Sequence, residues 1–488
     1  MIETNQAGLG EFLLGYRFGR ANLYRLPPAL SAKLESSASL AELEADPTTA
    51  LQLRAIRHVA QAERDAAIIP DIPADLPTRP IRKAGIIGAG TMGGGIAMSL
   101  ANAGVPVVIL DSKPEFLERG IARCRDNYAV TVSRGRLDQK TMDERMGRIT
   151  GTLEMADLAD CDIVIEAVFE EIELKKDIFR RLDQVAKQGA ILATNTSGLD
   201  IDAIAAVTGR PQDVVGAHFF SPANVMRLLE VVRAEKTAKD VIATLMALGR
   251  KMGKVAVLAR VYPGFIGNAL LHHYAREAQF LVEEGALPQQ VDRALTTFGF
   301  AMGIFGVHDL AGNDVGYHTR KKQMATRPQD RRYPDLILTL CDMNRLGQKT
   351  GKGWYKYEKG SRTPIPDPEV EALILQRSKE IGIERKPISD EEIIARTLYG
   401  MINEGARLLE QGVASRSSDI DIVYASGYGF PAWRGGPMFY ADTVGLDKVC
   451  AAVEAYHKEH GIWWTPAPLL QKLAREGKTF ADFDAGRA

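Results

Sequence analysis

Residues 81–97 read IRKAGIIGAGTMGGGIA, and this stretch decides the fold of the middle of the chain. Its first part is a short apolar run that ends in glycines, which is typical of a buried parallel β-strand. The next segment, residues 92–103, is predicted to be a helix, and a second apolar run follows at residues 105–110 and is broken by Asp111. The order strand, glycine-rich turn, helix, strand indicates a parallel α/β sheet.

Further apolar runs continue this pattern. They lie at residues 163–167, 190–194, 214–220 and 228–233. Strands that alternate with helices favour a Rossmann-like, doubly wound α/β sheet, which we expect over residues 81–262.

The segment before this sheet is predicted to be helical and to end in a linker. Residues 51–67 carry apolar side chains at helical spacing, and four prolines then fall between residues 70 and 80. Proline fixes the backbone and removes a hydrogen-bond donor, so this part is predicted to be extended. Residues 1–80 therefore form a separate N-terminal segment and linker in this interpretation.

The C-terminal half contains a weak internal repeat. EAQFLVEEG at residues 277–285 resembles EGARLLEQG at residues 404–412, an offset of 127. The repeat predicts two similar all-helical modules, residues 263–362 and 363–488. The alternative is that helical segments share alanine, leucine and glutamate by chance.

Composition excludes several classes of protein. The chain has 488 residues, with 61 basic and 62 acidic side chains, and this balance argues against a nucleic-acid binder. The four cysteines and eight histidines show no metal-ligand spacing, so no metal site and no disulfide framework are expected. No secretory signal, membrane-spanning run or terminal Ser-Lys-Leu address is evident, and the expected localisation is cytoplasmic.

The stretch after the first strand carries a GxGxxG motif in the context that dinucleotide binding requires. The helix that it opens can offer N–H donors to a pyrophosphate, and a carboxylate 23 residues after the first glycine favours NAD over NADP. The candidate cofactor-binding residues here are Gly88, Gly90, Thr91, Met92, Gly93 and Asp111. FAD, which uses a similar fingerprint, and a glycine-rich turn without a ligand remain alternatives.

A histidine lies where ligands bind in such sheets. His218 stands in GAHFFSP, at the end of a predicted strand, and histidine suits proton transfer from an alcohol near neutral pH. Glu230 lies in the next predicted strand, and a carboxylate inside an apolar strand needs a partner. A strand-turn-strand can place Glu230 beside His218 as the orienting group. The alternative is that His218 is a core residue with its hydrogen bonds satisfied.

Two polar stretches can complete this site. Ser197 follows a strand in TNTS (residues 194–197), and it can bond a substrate oxygen. Asn268 follows PGFIG (residues 263–267) at the start of the first helical module. Asn268 as a first-turn or capping residue is the alternative.

With these motifs in place, the chain resembles the 3-hydroxyacyl-CoA dehydrogenase family of fatty-acid β-oxidation. The matching stretches are IRKAGIIGAGTMGGGIA (81–97), TNTSGLDI (194–201), GAHFFSPANVMRLLEVV (216–232), PGFIGNALL (263–271) and TGKGWYKY (350–357). The resemblance implies reversible, NAD-dependent oxidation of an (S)-3-hydroxyacyl-CoA to the 3-ketoacyl-CoA. It implies that His218 is the catalytic base, Glu230 its partner, and Ser197 and Asn268 the contacts of the substrate oxygen. By the same resemblance, the cofactor and active-site crevice is lined by Glu170, Lys175 and Asn195.

The second module adds to this resemblance. GYGFPAWRGGPMFYAD at residues 427–442 is similar to the C-terminal part of multifunctional β-oxidation enzymes, in which an enoyl-CoA hydratase domain precedes the dehydrogenase. Residues 1–80 are too short for that domain and show no paired-glutamate motif. The resemblance therefore implies the dehydrogenase part of these enzymes without the hydratase domain.

Other hypotheses remain open. The substrate can be a different 3-hydroxy acid or an aromatic-catabolic acyl-CoA on the same scaffold. The chain can be a non-catalytic dinucleotide-binding assembly subunit, although its candidate catalytic residues argue against this. Residues 1–80 can recruit a separate hydratase or thiolase. The second helical module is expected to occupy the place of a partner subunit, which favours a monomer.

Overall fold

The computed structural model describes residues 27–35 and 40–487, which form two compact units. The first, called the sheet unit, consists of Ala60–Ala269 and Gln411–Tyr428. The second, called the helical unit, consists of the described residues up to Val59 together with Leu270–Glu410 and Gly429–Arg487. The units group residues by contact and not by order along the chain. The division of the chain into four consecutive segments therefore stays a prediction.

Eight strands among the described residues form one sheet in the order β3-β2-β1-β4-β5-β6-β7-β8. Their bounds are β1 Ala84–Ile87, β2 Val107–Leu110, β3 Ile149–Thr152, β4 Ile163–Glu166, β5 Ile191–Thr194, β6 Val214–Phe219, β7 Leu228–Arg233 and β8 Val255–Arg260. Neighbouring strands are parallel except β6 and β7, which are antiparallel. The strand order reverses at β1, which pairs with both β2 and β4. The doubly wound, Rossmann-like fold predicted from the sequence is confirmed.

The sheet is the core of its unit. Every residue of β1, β2, β4 and β5 is buried, as expected for parallel strands that are covered on both faces. Ile86, Ile109 and Ile165 on three neighbouring strands belong to one apolar cluster. Helices in this unit are Thr91–Asn102, Pro114–Ser133, Gln139–Met146, Ile172–Val185, Ile201–Ala205, Lys239–Lys251 and Ser417–Gly427, with 3₁₀ helices at Met155–Leu158 and Pro211–Asp213.

Two strands, β3 and β8, lie outside the runs predicted from the sequence. In β3 only Ile149 is buried, so this edge strand contains no apolar run. The strand β8 pairs with β7 over six residues at the opposite edge, and Ala259 forms an isolated bridge with Ala414 of the same unit.

The predicted linker is fixed to the sheet unit. No helix or strand covers residues 68–83. The Arg79 guanidinium lies 2.7 Å from the Asp213 carboxylate and 2.8 Å from that of Asp240. Its backbone N–H donates to Thr244 Oγ1. These long-range bonds hold an extended segment that has no regular structure of its own.

The helical unit is built from helices among the described residues. They are Pro28–Glu35, Leu40–Ala45, the first part of Pro47–Asp65, most of Gly267–Glu284, Pro288–Phe298, Ile304–Ala311, Tyr317–Met324, Leu336–Asp342, Pro368–Glu380, Asp390–Glu410, Pro437–Val444, Leu446–His460, Pro468–Glu476 and Phe480–Ala485. Short 3₁₀ helices occur at Gln348–Thr350, Ala432–Arg434 and Gly461–Trp464. In the part of the chain that the structure describes, no helix has both the length and the apolar composition of a membrane span.

One local arrangement occurs twice in the helical unit. The Asp309 carboxylate, on the helix Ile304–Ala311, accepts hydrogen bonds from the backbone N–H groups of Trp354 (2.9 Å) and Tyr355 (3.0 Å). The Asp442 carboxylate, on the helix Pro437–Val444, accepts them from Phe480 (2.8 Å) and Ala481 (3.2 Å). In each copy a carboxylate on a helix therefore holds two consecutive N–H groups that begin at a buried aromatic residue, which agrees with the predicted repeat.

A buried ion pair links the repeated helices Gly267–Glu284 and Asp390–Glu410. The Arg396 side chain is 1% exposed, and its guanidinium lies 3.1 Å from Glu277 Oε2 and also bonds Glu284. In the repeat Arg396 stands where the first module has Asn268. Its pairing with two carboxylates indicates a structural role for this position.

Candidate active site

The register of β6 and β7 places His218 directly opposite Glu230. The two side chains lie on the same face of the sheet, and His218 Nδ1 is 2.7 Å from Glu230 Oε2. Residues that face each other on antiparallel strands are close enough for such a bond. The pair that the sequence left open is thus formed by the strand-turn-strand.

The second carboxylate oxygen of Glu230 is also bonded. Glu230 Oε1 accepts hydrogen bonds from the backbone N–H groups of Ile266 (3.1 Å) and Gly267 (2.9 Å). These groups lie at the start of the helix Gly267–Glu284, where the positive end of the helix dipole stabilises an anion. The carboxylate is fully buried, and these bonds replace the water that it loses.

The His218 ring is held in a single orientation. Its centroid lies 4.4 Å from that of Phe220 and 5.7 Å from that of Phe265. Because Nδ1 donates to the carboxylate, a neutral ring carries its lone pair on Nε2. Within the described residues no protein group bonds Nε2. This atom is therefore free to accept a proton.

Two loops bring Ser197 and Asn268 together. Asn268 Nδ2 donates a hydrogen bond to the Ser197 carbonyl (3.2 Å). The backbone N–H and the hydroxyl of Ser197 donate to Glu170 Oε1 at 2.7 and 2.9 Å. Glu170 thus fixes the Ser197 loop, and that loop in turn holds Asn268.

Lys175 lies beneath this loop and does not face solvent. Its side chain is 1% exposed, and Nζ lies 2.7 Å from Glu166 Oε1 and 3.5 Å from Glu170 Oε2. Glu166 ends β4 and also accepts a bond from the Thr194 hydroxyl (2.8 Å). Sequence reasoning missed Glu166, although a carboxylate that ends an apolar strand is the same signal that singled out Glu230.

Asn195 connects the ends of two neighbouring strands. It follows β5, and its Oδ1 accepts the backbone N–H of Phe219 (2.8 Å), the last residue of β6. The bond fixes the backbone next to His218. The roles assigned to Glu170, Lys175 and Asn195 at the cofactor stay predictions.

The glycine-rich turn has the form that a dinucleotide needs. Gly88 has φ +102°, a conformation that disfavours other residues, and a Cβ on Gly93 would lie 1.8 Å from the Gly88 carbonyl oxygen. The helix Thr91–Asn102 has no side-chain cap, so its first N–H groups are available to a phosphate. A Cβ on Gly90 would meet open space. These residues fit the pyrophosphate of NAD.

Asp111 stands where the adenosine ribose of NAD is expected. It follows β2, and its Oδ2 accepts the Ala89 N–H of the turn at 2.7 Å. The carboxylate therefore stabilises the turn and keeps further lone pairs for ribose hydroxyls. A negative charge at this position disfavours a 2′-phosphate.

A tyrosine from the second helical segment completes the sheet unit near Asn268. The Tyr428 hydroxyl donates to Asn268 Oδ1 (2.8 Å). Sequence reasoning quoted this residue only as part of a turn, residues 427–431. The 160 residues between the two partners left no local signal for the contact.

Comparison with known proteins gives two family matches. The NAD-binding domain model of the 3-hydroxyacyl-CoA dehydrogenases matches residues 83–261. The C-terminal domain model of the same enzymes matches residues 264–357 and again residues 393–482. The double match confirms the two repeated helical modules.

Individual relatives agree with these matches. The peroxisomal bifunctional enzyme of Danio rerio is 45% identical over 415 residues, which cover 82% of this chain and 57% of that protein. The chain thus spans little more than half the length of this relative. The 3-hydroxybutyryl-CoA dehydrogenase structure from Escherichia coli has a TM-score of 0.70 at 28% identity and covers 84% of this chain and all of its own. The dehydrogenase part of a multifunctional enzyme from C. elegans has a TM-score of 0.63 at 31% identity and covers 85% of this chain and 96% of its own.

These names correct one expectation. The prediction of a cytoplasmic protein is wrong, because the relatives from Danio rerio, Cavia porcellus and Arabidopsis thaliana are named peroxisomal enzymes. The prediction rested on missing targeting signals. Receptors read such signals separately from the fold, so their absence from the sequence did not decide the compartment.

Proposed function

The chain belongs to the 3-hydroxyacyl-CoA dehydrogenase family, and from this premise we propose that it oxidises (S)-3-hydroxyacyl-CoA thioesters reversibly with NAD. The observation that carries the proposal is the buried His218–Glu230 pair with its free Nε2. Alcohol oxidation needs a base that takes the hydroxyl proton as hydride leaves the carbon.

His218 performs the proton transfer in this proposal. Its Nε2 removes the proton of the C3 hydroxyl, and the ring becomes an imidazolium. Glu230 accepts the Nδ1–H bond throughout and stabilises the positive charge without taking the proton itself. In the reverse direction the same Nε2 returns the proton to the oxygen of the ketone. NAD supplies the hydride acceptor when it is bound.

Ser197 and Asn268 orient the oxygen on C3. The Asn268 amide keeps one N–H free after it donates to the Ser197 carbonyl. A fixed N–H donor stabilises negative charge that develops on the oxygen. The Ser197 hydroxyl donates to Glu170, so its oxygen can accept the hydroxyl proton of the alcohol substrate. We propose that these two groups hold the hydroxyl toward His218.

The glycine-rich turn and Asp111 provide the proposed cofactor site. The uncapped start of the helix Thr91–Asn102 receives the pyrophosphate, and Asp111 receives the ribose hydroxyls. The relatives are named enzymes of β-oxidation, and one is a 3-hydroxybutyryl-CoA dehydrogenase. These names support an acyl-CoA substrate.

The test follows NADH absorbance with acetoacetyl-CoA as substrate. We expect rapid NADH oxidation by the unmodified chain and a loss of about 10²- to 10⁴-fold in His218→Gln, because the variant lacks the acid and base. NADH affinity, measured by fluorescence titration, should stay unchanged in the variant.

The matched control is His457→Gln. His457 lies on the helix Leu446–His460 of the helical unit, where its Nδ1 bonds the Gly461 carbonyl. This variant should keep full activity. Unchanged activity in His218→Gln would reject His218 as the base, and an unmodified chain that binds NADH without oxidising it would reject the proposed reaction.

A further inference from the structure

Tyr428 is the first residue after the helix Ser417–Gly427, and it belongs to the sheet unit. Its hydroxyl donates to Asn268 Oδ1 at 2.8 Å. On the other side of the same amide, Asn268 Nδ2 donates to the Ser197 carbonyl at 3.2 Å. Both ends of the amide group are therefore engaged.

This pair of bonds selects one orientation of the Asn268 amide. Rotating the amide by 180° would place its oxygen against the Ser197 carbonyl oxygen, and two acceptors repel each other. The Tyr428 hydroxyl favours the observed orientation because it donates to the amide oxygen. The second N–H of the amide then has a fixed direction.

The Tyr428 ring is itself held by its surroundings. It stacks on Tyr424 with a centroid distance of 4.7 Å, and the Tyr424 hydroxyl donates to the Gly267 carbonyl (3.2 Å). Its edge meets Phe220 at 5.4 Å, and Phe220 packs on His218. These contacts link the tyrosine to the ring of the proposed base.

Gly267 makes room for this tyrosine. A Cβ at that position would lie 2.4 Å from the Tyr428 hydroxyl oxygen. A residue with a side chain next to Asn268 would therefore displace the hydroxyl that bonds Asn268. The close approach depends on glycine at the first residue of the helix Gly267–Glu284.

We propose that Tyr428 is a positioning residue of the dehydrogenase reaction, which acts by fixing the Asn268 amide so that its free N–H points at the oxygen on C3 of the substrate. The inference rests on the proposed function. It assigns a part in the chemistry to the second helical segment, which lies far along the chain from the other residues of the site.

Tyr428 is suited to act as a permanent donor. Burial, together with the nearby Glu230 carboxylate, raises the pKa of the Tyr428 hydroxyl well above its usual value of 10.0. The hydroxyl therefore keeps its proton at any pH at which the His218–Glu230 pair works, and Tyr428 should not shape the pH profile.

A double-mutant cycle between Tyr428→Phe and Asn268→Ala tests the proposal. Phenylalanine keeps the ring contacts and removes only the donor. In the otherwise unmodified chain we expect Tyr428→Phe to lower kcat for acetoacetyl-CoA reduction about 10-fold, the effect of one lost hydrogen bond. In the Asn268→Ala background the same change should have no effect, because its target is gone.

Three further readings accompany the cycle. The NADH KM, the midpoint of thermal unfolding and the pH dependence of kcat/KM should match those of the unmodified chain. Tyr440→Phe, which changes a tyrosine of the helical unit, is the matched control and should leave kcat unchanged.

Each outcome decides the proposal. Equal loss in both backgrounds overturns it, because Tyr428 then acts independently of Asn268. Parallel losses of NADH affinity and thermal stability also overturn it in favour of a structural role. A failure of the proposed function is distinguishable, since the unmodified chain would then oxidise no NADH with acetoacetyl-CoA, and the role of Tyr428 in that reaction would fall with it.

Discussion

Glu230 uses both oxygens of its carboxylate, one for the His218 ring and one for two backbone N–H groups. A buried carboxylate with such partners stays ionised and keeps its orientation. Because the N–H groups belong to Ile266 and Gly267, the same residue that orients the base also fixes the start of the helix that carries Asn268. At the scale of single residues, Glu230 therefore connects the proton-transfer group with the oxygen-binding group.

This connection predicts the effect of Glu230→Gln. The glutamine amide has nearly the same shape, but its NH₂ group can donate to Nδ1 and so place the ring proton on Nε2. That tautomer cannot accept the substrate proton. We expect kcat/KM for oxidation of (S)-3-hydroxybutyryl-CoA to fall by about 10²-fold or more, as for comparable buried partners of histidine.

A matched change in the same unit is Glu63→Gln. Glu63 pairs with Arg227 at 2.5 Å outside the proposed site. Its substitution should leave kcat/KM unchanged. Retention of full activity by Glu230→Gln would show that the carboxylate does not set the tautomer.

At the scale of elements, the helix Thr91–Asn102 packs so closely on β1 that its first turn tolerates no Cβ at one position. Gly93 faces the Gly88 carbonyl oxygen, whereas Gly90 faces open space. The two glycines thus serve different purposes. One permits the packing of helix on strand, and the other leaves room for the pyrophosphate.

The difference predicts opposite effects for two alanine substitutions. Gly93→Ala should lower the free energy of unfolding by about 1–3 kcal/mol, because the turn and helix must separate. Gly90→Ala should leave stability unchanged and weaken NADH binding, because its Cβ enters the space reserved for the cofactor. Denaturant unfolding and NADH titration of both variants measure these effects. Equal stability loss in both would contradict the distinction.

At the scale of the whole molecule, the helical unit contains histidines that disfavour a charge. Burial, and to a lesser extent Arg320, lowers the pKa of His308 to about 4. Among the described residues its Nδ1 has no hydrogen-bond partner. Burial likewise lowers the pKa of His273 to about 4. Burial acts in the other direction on Glu283, where it raises the pKa to about 7.

The lowered pKa of His308 predicts a pH-dependent stability. Between its usual value of 6.5 and about 4, the unfolded chain binds a proton that the folded chain does not. Stability is therefore lost as the pH falls through this window. In His308→Gln this contribution is absent, so from pH 7.5 to 4.5 the variant should lose about 1–2 kcal/mol less than the unmodified chain.

Urea unfolding at a series of pH values measures this difference. Taking the difference between the two chains removes the opposing contribution of Glu283 and the parallel one of His273. A difference that stays constant across the window would mean that His308 titrates normally in the folded chain.

The dinucleotide-binding part was predictable from local sequence. The apolar run, the glycines and Asp111 lie within about thirty residues, and backbone geometry alone brings them into register. The helical repeat was also visible, because its two copies preserve a short pattern at a constant offset. By contrast, β3 was hidden because an edge strand with one buried residue leaves no apolar run.

The sequence by itself determined the sheet, the turn that fits NAD and the identity of the candidate acid–base pair. Only the tertiary structure decided that Glu230 bonds His218 and the helix start at Gly267 together, and that Tyr428 reaches Asn268. The physical reason is distance along the chain. Strand and helix patterns are set by neighbouring residues, whereas these contacts join segments up to 160 residues apart and arise from how the segments pack.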